Sequence, residues 1–383
     1  MGTRTRAALF MPLGVLLTIA CSGTEPRAAG PQIYDSAGVR VVLNPPITDP
    51  VIMLESGPEL RIDGAGPTPL FRVEAGILSP NGTILIANSG YHEILEISST
   101  GALVRRVGRE GDGPGEFRSI RWLHAAPDGG YIVGDVRLRR ATAFDSTGVV
   151  RWSTVFDPAP AEPPRPDAII GNGLLVSALP DGRLLGFPRV VALPGGGGDP
   201  LPVRGDLRVY TPDLTEHVDL GNVTIIVWLE DPGAEGIPVA SLLEAPRLHF
   251  DAHLSRLAYT EGAGFRVDVI DDGARTIVMA EDRSRLPFEP DSIPAMYARA
   301  ADSLPSYRDL RIDSEHRVWV RASRDADPAE WRVFDASGVG LAVVLLPADA
   351  RPLDAEGSRL LLLRRDELDV ESIELWRIRW GAE

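Results

Sequence analysis

The sequence predicts an all-β fold, a six-bladed β-propeller closed by its own N-terminal strand. The main observation is one short phrase that occurs six times: an aromatic or aliphatic residue, a small polar turn that usually ends in Gly, and an apolar run. A period near the length of a four-stranded sheet is typical of repeat arrays. A second observation is the content of 39 Gly and 33 Pro, which suits a fold with many turns. The copies are 63, 47, 66, 60 and 64 residues apart and begin at Tyr34, Ile97, Phe144, Tyr210, Ile270 and Phe334.

Each unit is expected to consist of hairpins. Short alternating runs are separated by Pro-Asn-Gly or Pro-Asp-Gly turns, which need a positive φ. The units at 71–108 and 117–156 share this plan, and 310–320 aligns without a gap on 123–133. The remaining units are predicted at about 169–221, 246–279, 307–347 and 351–380.

The sixth unit, 351–380, supplies two strand-like runs and then ends. Residues 34–43 match the segments 144–152 and 334–345 of earlier units. We therefore expect 34–43 to pair with the segment around 373–380 and to close the ring, which leaves no sheet edge unpaired.

Two inserts interrupt the repeats, and both are predicted to hold short helices. One lies at 239–243, and the other spans 290–301, with apolar residues at helical spacing after a capping Asp291 or Ser292. Inserts between blades lie over one face of a propeller, where they either roof a pocket or only pack over one end of the ring.

The charge of the chain restricts its partners. Asp and Glu number 54 against 39 basic residues, which gives a net charge of −15. An acidic surface repels phosphate backbones, so nucleic-acid binding is not expected.

The N-terminus has the features of a secretory signal. Arg4 and Arg6 precede an apolar stretch at 7–20, which is too short for a comfortable membrane-spanning helix. A signal that ends at Cys21 resembles the bacterial lipoprotein signal, in which Cys21 would be the lipidated first residue. Thr18 departs from that pattern, which prefers Leu there, and a plain cleaved signal with a chance cysteine is the alternative.

This leader sets the predicted domains and the location. Residues 1–20 are the lipoprotein-type signal peptide, 21–32 a flexible tether rich in Gly, Ala and Pro, and 33–383 the propeller. The expected location is the bacterial cell envelope, with a lipid anchor in the outer membrane and the propeller facing the periplasm or the exterior.

Two stretches resemble NHL-repeat propellers. Residues 108–117 are similar to that family's Gly-Pro-Gly-Glu-Phe linker between blades, and 87–94 to its Ala-Asp-Ser-Gly-Asn-His-x-Ile motif. Asn88 replaces the usual Asp of that motif, which the second unit keeps as Asp135. The resemblance extends over about residues 50–157. It implies a six-bladed propeller lipoprotein of the envelope, and it implies no particular reaction.

The register of the repeats points to one candidate ligand site. His124, His249 and Arg311 occupy the same place on the predicted innermost strands, and Arg121 and Arg308 share another. Innermost strands surround the central channel, so such side chains converge on its axis. A cationic cluster inside an acidic protein favours an anionic ligand. The alternative is that these side chains point between blades and pair with Asp or Glu.

Function is accordingly predicted as a binding or scaffolding module for a small molecule or an envelope protein, with no cofactor and no catalytic residues. The alternative is a calcium-dependent lactonase or lyase with its site at the channel mouth, because six-bladed propellers of that kind hold a metal with carboxylates and amides. Its candidate ligands here are Glu74, Asn88 and Asp135.

Overall fold

The structure is a computed structural model, and nearly all of its secondary structure is β-strand. Among the described residues the helical segment is one 3₁₀ turn at Ser89–Tyr91. Residues 31–383 form one compact unit. Both predicted helical inserts, the signal peptide and the tether up to residue 29 lie outside the described residues. The structure describes 30–54, 57–79, 82–158, 169–171, 173–179, 181–192, 201–228, 250–253, 256–259, 265–271, 274–280, 307–322 and 327–380.

Four strands precede the repeats, and each of the last three joins a different sheet. They are β1 (Gln32–Ser36), β2 (Val39–Asn44), β3 (Val51–Met53) and β4 (Leu60–Asp63). β1 and β2 form an antiparallel hairpin. Its turn is fixed by Gly38, which has φ +80° and donates its N–H to Asp35 Oδ1 at 3.0 Å.

The first two sheets are four-stranded antiparallel meanders whose first strand is innermost. The first sheet contains β5 (Val73–Leu78), β6 (Ile84–Asn88), β7 (Glu93–Ile97) and β8 (Leu103–Val107). The second contains β9 (Ile120–Ala125), β10 (Tyr131–Asp135), β11 (Arg140–Phe144) and β12 (Val150–Val155).

The third sheet departs from this plan because it has six strands, in the order β13-β16-β17-β15-β14 with β18 paired to β17. Its strands are β13 (Ile169–Gly171), β14 (Leu174–Ala178), β15 (Leu184–Phe187), β16 (Val190–Ala192), β17 (Leu201–Tyr210) and β18 (His217–Trp228).

The last three sheets return to the meander. The fourth contains β19 (Phe250–His253), β20 (Arg256–Tyr259), β21 (Arg266–Asp271) and β22 (Ala274–Ala280). The fifth contains β23 (Tyr307–Ile312), β24 (Val318–Ala322), β25 (Ala329–Phe334) and β26 (Gly340–Leu346). The sixth contains β27 (Ala350–Glu356), β28 (Arg359–Arg365) and β29 (Glu371–Arg377).

Hydrophobic packing joins these sheets into a ring. The middle strands are apolar on both faces; every residue of β6, for example, is buried. Six buried clusters each combine side chains of two sheets that follow one another in the chain, and the last combines the sixth with the first. The prediction of an all-β propeller is confirmed.

The predicted closing strand was wrong. β2, which covers 39–43 of that segment, pairs in parallel with β22 of the fourth sheet, and β3 pairs in parallel with β26 of the fifth. The sixth sheet is instead completed by β4, which pairs antiparallel with β29. Ile62 of β4 packs in the cluster shared by the sixth and first sheets. An N-terminal strand thus closes the ring, but it lies about 20 residues further along the chain than expected.

This closure predicts which N-terminal strand matters for stability. Ile62→Ala should lower the free energy of unfolding by about 2–5 kcal/mol, because it removes a buried side chain from the closing cluster. Ile33→Ala, on the half-exposed face of β1, should change it by less than about 0.5 kcal/mol. Chemical denaturation measures both. If Ile33→Ala lowered the free energy of unfolding more than Ile62→Ala does, closure of the ring through β4 would be contradicted.

Candidate functional site

The innermost strand of each sheet is the strand nearest the centre of the ring, and several of these strands contact one another. β5 contacts both β9 and β27, and β23 contacts both β19 and β27. Equivalent positions of these strands therefore come together at the axis. A small cavity of about 60 Å³ lies there between β5, β9, β23 and β27. It has room for a few water molecules or a small polar group. Its polar walls are formed by Glu74, Arg121, Trp122, His124, Arg311 and Asp354.

Three of the five ligand-binding residues predicted from the repeat register lie together in the structure. Arg121, His124 and Arg311 all line this cavity. Arg308 belongs to β23, but its side chain is outside the described part of the structure, as is the whole of His249. Ligand binding by these five residues stays a prediction.

Arg121 lies at the solvent side of the cavity. Its side chain is 62% exposed, and its Nη1 donates to Glu74 Oε2 at 2.9 Å. This ion pair links the second sheet to the first. Because the arginine is largely hydrated, the pair contributes little to stability. Its importance is that it places a positive charge at the opening.

Arg311 is more deeply placed, with its side chain 23% exposed. It donates from Nη1 to the Leu310 carbonyl at 3.0 Å and from Nη2 to Asp309 Oδ2 at 3.2 Å. The pairing with Asp309, like that of Arg121 with Glu74, matches the alternative expectation that these cations meet carboxylates. Both arginines nevertheless remain on the cavity wall.

Arg351 is a third cation near the axis that the repeat register did not identify. Its Nη2 donates to the carbonyls of Val73 and Glu74, at 2.8 and 3.1 Å. Burial, and to a smaller extent the charge of Arg311, lower the pKa of Arg351 to about 10, whereas Asp309 and Glu74 act in the opposite direction. It forms no ion pair with any described residue. Arg351 is the second residue of innermost strand β27, as Arg121 is of β9. This equivalent position is the sequence feature that could have identified Arg351.

His124 joins two sheets and is 4% exposed. Its Nε2 lies 3.0 Å from Ser177 Oγ of the third sheet. Its ring stacks on Trp122 with 4.9 Å between centroids and 15° between planes. His124 therefore lines the cavity, and its Nε2 forms a hydrogen bond that connects the second sheet to the third.

Asp354 is the buried acid of the cavity wall, and no sequence pattern identifies it. Its carboxylate accepts hydrogen bonds from Leu78 N at 2.7 Å, from Ala355 N at 2.8 Å, and from both N and Oγ of Ser314 at 2.7–2.9 Å. These donors come from the first, sixth and fifth sheets. Burial raises the pKa of Asp354 to about 7, and the charge of Asp313 adds to the rise, against the effect of the hydrogen bonds.

The three candidate calcium ligands, Glu74, Asn88 and Asp135, form hydrogen bonds or ion pairs with other parts of the chain. Asn88 accepts from Phe71 N at 2.9 Å and donates to Pro69 O and Glu93 Oε1. Asp135 accepts from the backbone N–H groups of Arg118, Ser119 and Leu138 at 2.6–2.8 Å. Both side chains fix the chain where it enters the innermost strand of their own sheet. Since Glu74 is paired with Arg121, these three residues do not fit a calcium site. The described residues contain no group of three His, Cys, Asp or Glu arranged to hold a metal ion.

Comparisons with known proteins give weak likenesses only. The chain matches no protein-family model and no curated protein. Among solved structures it is similar to an exported protein of Bacteroides fragilis, with 11% identity, a TM-score of 0.46, and coverage of 87% of this chain and 100% of that one. A DUF4221-family member from Bacteroides vulgatus has 11% identity, a TM-score of 0.47, and coverage of 85% and 98%.

A calcium-binding regucalcin from Agrobacterium tumefaciens is similar at 15% identity and a TM-score of 0.40, over 87% of this chain and 97% of that one. Sequence identities and TM-scores this low do not indicate a function for this chain. Within the described residues, no helix is long and apolar enough to cross a bilayer.

The buried Asp354 predicts a pH dependence of stability. A carboxyl whose pKa is raised on folding binds its proton more tightly in the folded state. Its contribution is therefore full below about pH 4 and is lost as the pH rises through about 7. We expect the unfolding free energy of the wild type, measured relative to Asp354→Asn, to fall between pH 5 and 7 by up to about 1.4 kcal/mol per pH unit. Urea titrations at several pH values measure this difference, and a flat or rising difference would contradict the assignment.

Proposed function

We propose that this protein is a lipid-anchored, six-bladed β-propeller of the bacterial cell envelope that binds a small anionic ligand in its axial cavity and serves as a binding or scaffolding module. The six sheets and the six clusters between them support the blade count. The observation that supports this ligand class is that the side chains of Arg121 and Arg311 line one cavity, with the buried Arg351 close enough to Arg311 for their charges to interact.

The charges around this cavity favour an anion. Glu74 and Asp309 balance two of the three arginines. Arg351 has only backbone carbonyls as described partners, and its lowered pKa shows that its charged form is poorly solvated. An anion close to such a group gains more than it would in water, because the surroundings are less polar. Asp354 on the same wall is also acidic, but because its pKa is raised to about 7 it carries less than a full negative charge near neutral pH.

The oxygens near the start of the innermost strands support the same ligand class. A metal ion would need oxygen ligands, and the oxygens of Asn88 and Asp135 already accept hydrogen bonds from backbone N–H groups.

The envelope location rests on the N-terminal sequence. Cys21 follows an apolar stretch, and the first strand begins at Gln32, where the predicted tether ends. Such a tether of about 11 residues would let a lipidated Cys21 sit in the outer membrane while the propeller stays in the aqueous phase.

Binding of a simple anion tests the proposed site. Acetate should bind the purified protein with an affinity that falls as NaCl is added, and Arg121→Ala or Arg311→Ala should weaken it about tenfold or more, since each removes a charge-assisted donor. Isothermal titration calorimetry measures the affinity. Arg183→Ala is the matched control, because Arg183 pairs with Asp181 in a turn away from the cavity. Equal loss in the control, or no binding by the wild type, would refute the site.

Lipidation has a separate test. When the full chain is expressed in a bacterial host fed radiolabelled palmitate, the label should enter the wild type and not the Cys21→Ala variant. That variant should also leave the membrane fraction. An unlabelled wild type, or a variant that stays membrane-bound, would refute anchoring through Cys21.

A further inference from the structure

The wall of the axial cavity carries charges of both signs. Arg121 and Arg311 line it together with the acidic residues Glu74 and Asp354. A simple anion that approaches the two guanidinium groups therefore also approaches two carboxyl groups, and like charges repel. A ligand that has a positive group beside its negative group offsets this repulsion. The composition of the wall thus favours such a ligand over an anion alone.

The ion pair at the opening leaves hydrogen-bonding capacity on both of its partners. Arg121 donates from Nη1 to Glu74 Oε2 at 2.9 Å, and in the part of the chain that the structure describes neither side chain forms another hydrogen bond. A guanidinium has five N–H donors, and a carboxylate has two acceptor oxygens. The Arg121 side chain is 62% exposed and that of Glu74 is 20% exposed, so a ligand can reach both. Unused donors and an unused acceptor oxygen therefore lie next to each other.

The other two carboxylates near the cavity have no such oxygen. Both oxygens of Asp354 accept hydrogen bonds from backbone N–H groups. Both oxygens of Asp309 also accept hydrogen bonds, one of them from Arg311. A positively charged ligand group at either residue would have to compete with these donors. Glu74 is therefore the carboxylate best placed to accept from a ligand, and it lies beside a guanidinium that can bind the ligand's negative group.

An α-amino acid matches the Arg121–Glu74 ion pair in charge and in spacing. Its ammonium and carboxylate groups are attached to one carbon atom, so they lie about as close together as the two partners of an ion pair. An amino acid set antiparallel to the ion pair gives four alternating charges, in which all neighbours attract each other. Both contacts are charge-assisted hydrogen bonds, which are the stronger kind. The cavity, of about 60 Å³, favours an amino acid with a short side chain.

We propose that the axial cavity binds a small zwitterion of the α-amino acid class, whose carboxylate binds the guanidinium of Arg121 and whose ammonium binds the carboxylate of Glu74. This inference rests on the proposed anion site and names its ligand class. Arg311, on the same wall, adds positive charge near the ligand's carboxylate.

The experiment compares three probes on the purified full-length protein by isothermal titration calorimetry at pH 7. They are glycine, glycolate and acetate. Glycolate has a hydroxyl group where glycine has its ammonium, so this comparison isolates the positive charge. We expect glycine to bind about tenfold or more tightly than glycolate, because only the ammonium forms an ion pair with Glu74. Arg121→Ala should weaken all three probes.

A charge-neutral variant locates the ammonium. Glu74→Gln keeps the size of the side chain and should weaken glycine about tenfold while leaving acetate at least as tightly bound. Glu330→Gln is the matched control, because Glu330 pairs with Arg332 at 2.9 Å on β25, the third strand of the fifth sheet. It should change neither affinity. If Glu74→Gln does not fold, the comparison of glycine with glycolate on the wild type decides.

The outcomes separate this inference from the proposed function. If glycine and glycolate bind equally, the ammonium is not recognised and the inference is wrong, whereas binding of acetate still supports the anion site. If none of the three probes binds, the anion site fails and this inference fails with it. If glycine binds more tightly than glycolate but Glu74→Gln weakens it no more than Glu330→Gln does, the ammonium lies elsewhere and the inference is overturned.

Discussion

Pairing of β4 with β29 is the constraint on which the rest of the ring depends. Arg61 of β4 bonds Glu374 of β29 across 313 residues of sequence. Closing a loop of that length costs about 5 kcal/mol of chain entropy, a figure that grows only slowly with length. Ile62 contributes to the cluster that the closure shields, which also contains Leu361, Ile373, Val73 and other apolar residues of the sixth and first sheets. Without the pairing, one face of each of these sheets would meet water, and the innermost strands would lose their fixed spacing.

The same polar groups that fix this spacing also form the wall of the cavity. Asp354 binds donors from three sheets, and Arg351 binds the backbone of β5 from β27. Each group is held by partners on a neighbouring strand, so the charges around the axis keep their positions before any ligand arrives. Binding to a preorganised site loses less free energy to ordering than binding to mobile side chains. The same residues therefore hold the sheets together and set the charges near the cavity. Substitution of Asp354 or Arg351 would change both the packing of the ring and those charges.

Sequence reasoning succeeded where the relevant interaction is local. The phrase Tyr34-Asp35-Ser36-Ala37-Gly38 predicts a polar turn followed by an apolar run, and β1 and β2 flank that turn as a hairpin. The partner of the hairpin was wrong, because side-chain packing over long range decides it: Val42 lies against position 338 of the fifth sheet. Register on the innermost strands placed Arg121, His124 and Arg311 at one cavity, since equivalent positions of equivalent strands converge. Asp354 escaped notice because its role depends on Leu78 and Ser314, distant in sequence.

Polar side chains near the axis fall into two groups according to what they bind. Asn88, Asp135 and Asp354 direct their oxygens at backbone N–H groups of adjoining segments. A divalent cation at these oxygens would have to compete with the N–H groups that they already accept from. Arg121 and Arg311 instead line the cavity beside the carboxylates of Glu74 and Asp309. The first group of side chains thus fixes where the strands lie, whereas the second group determines which charges the cavity presents.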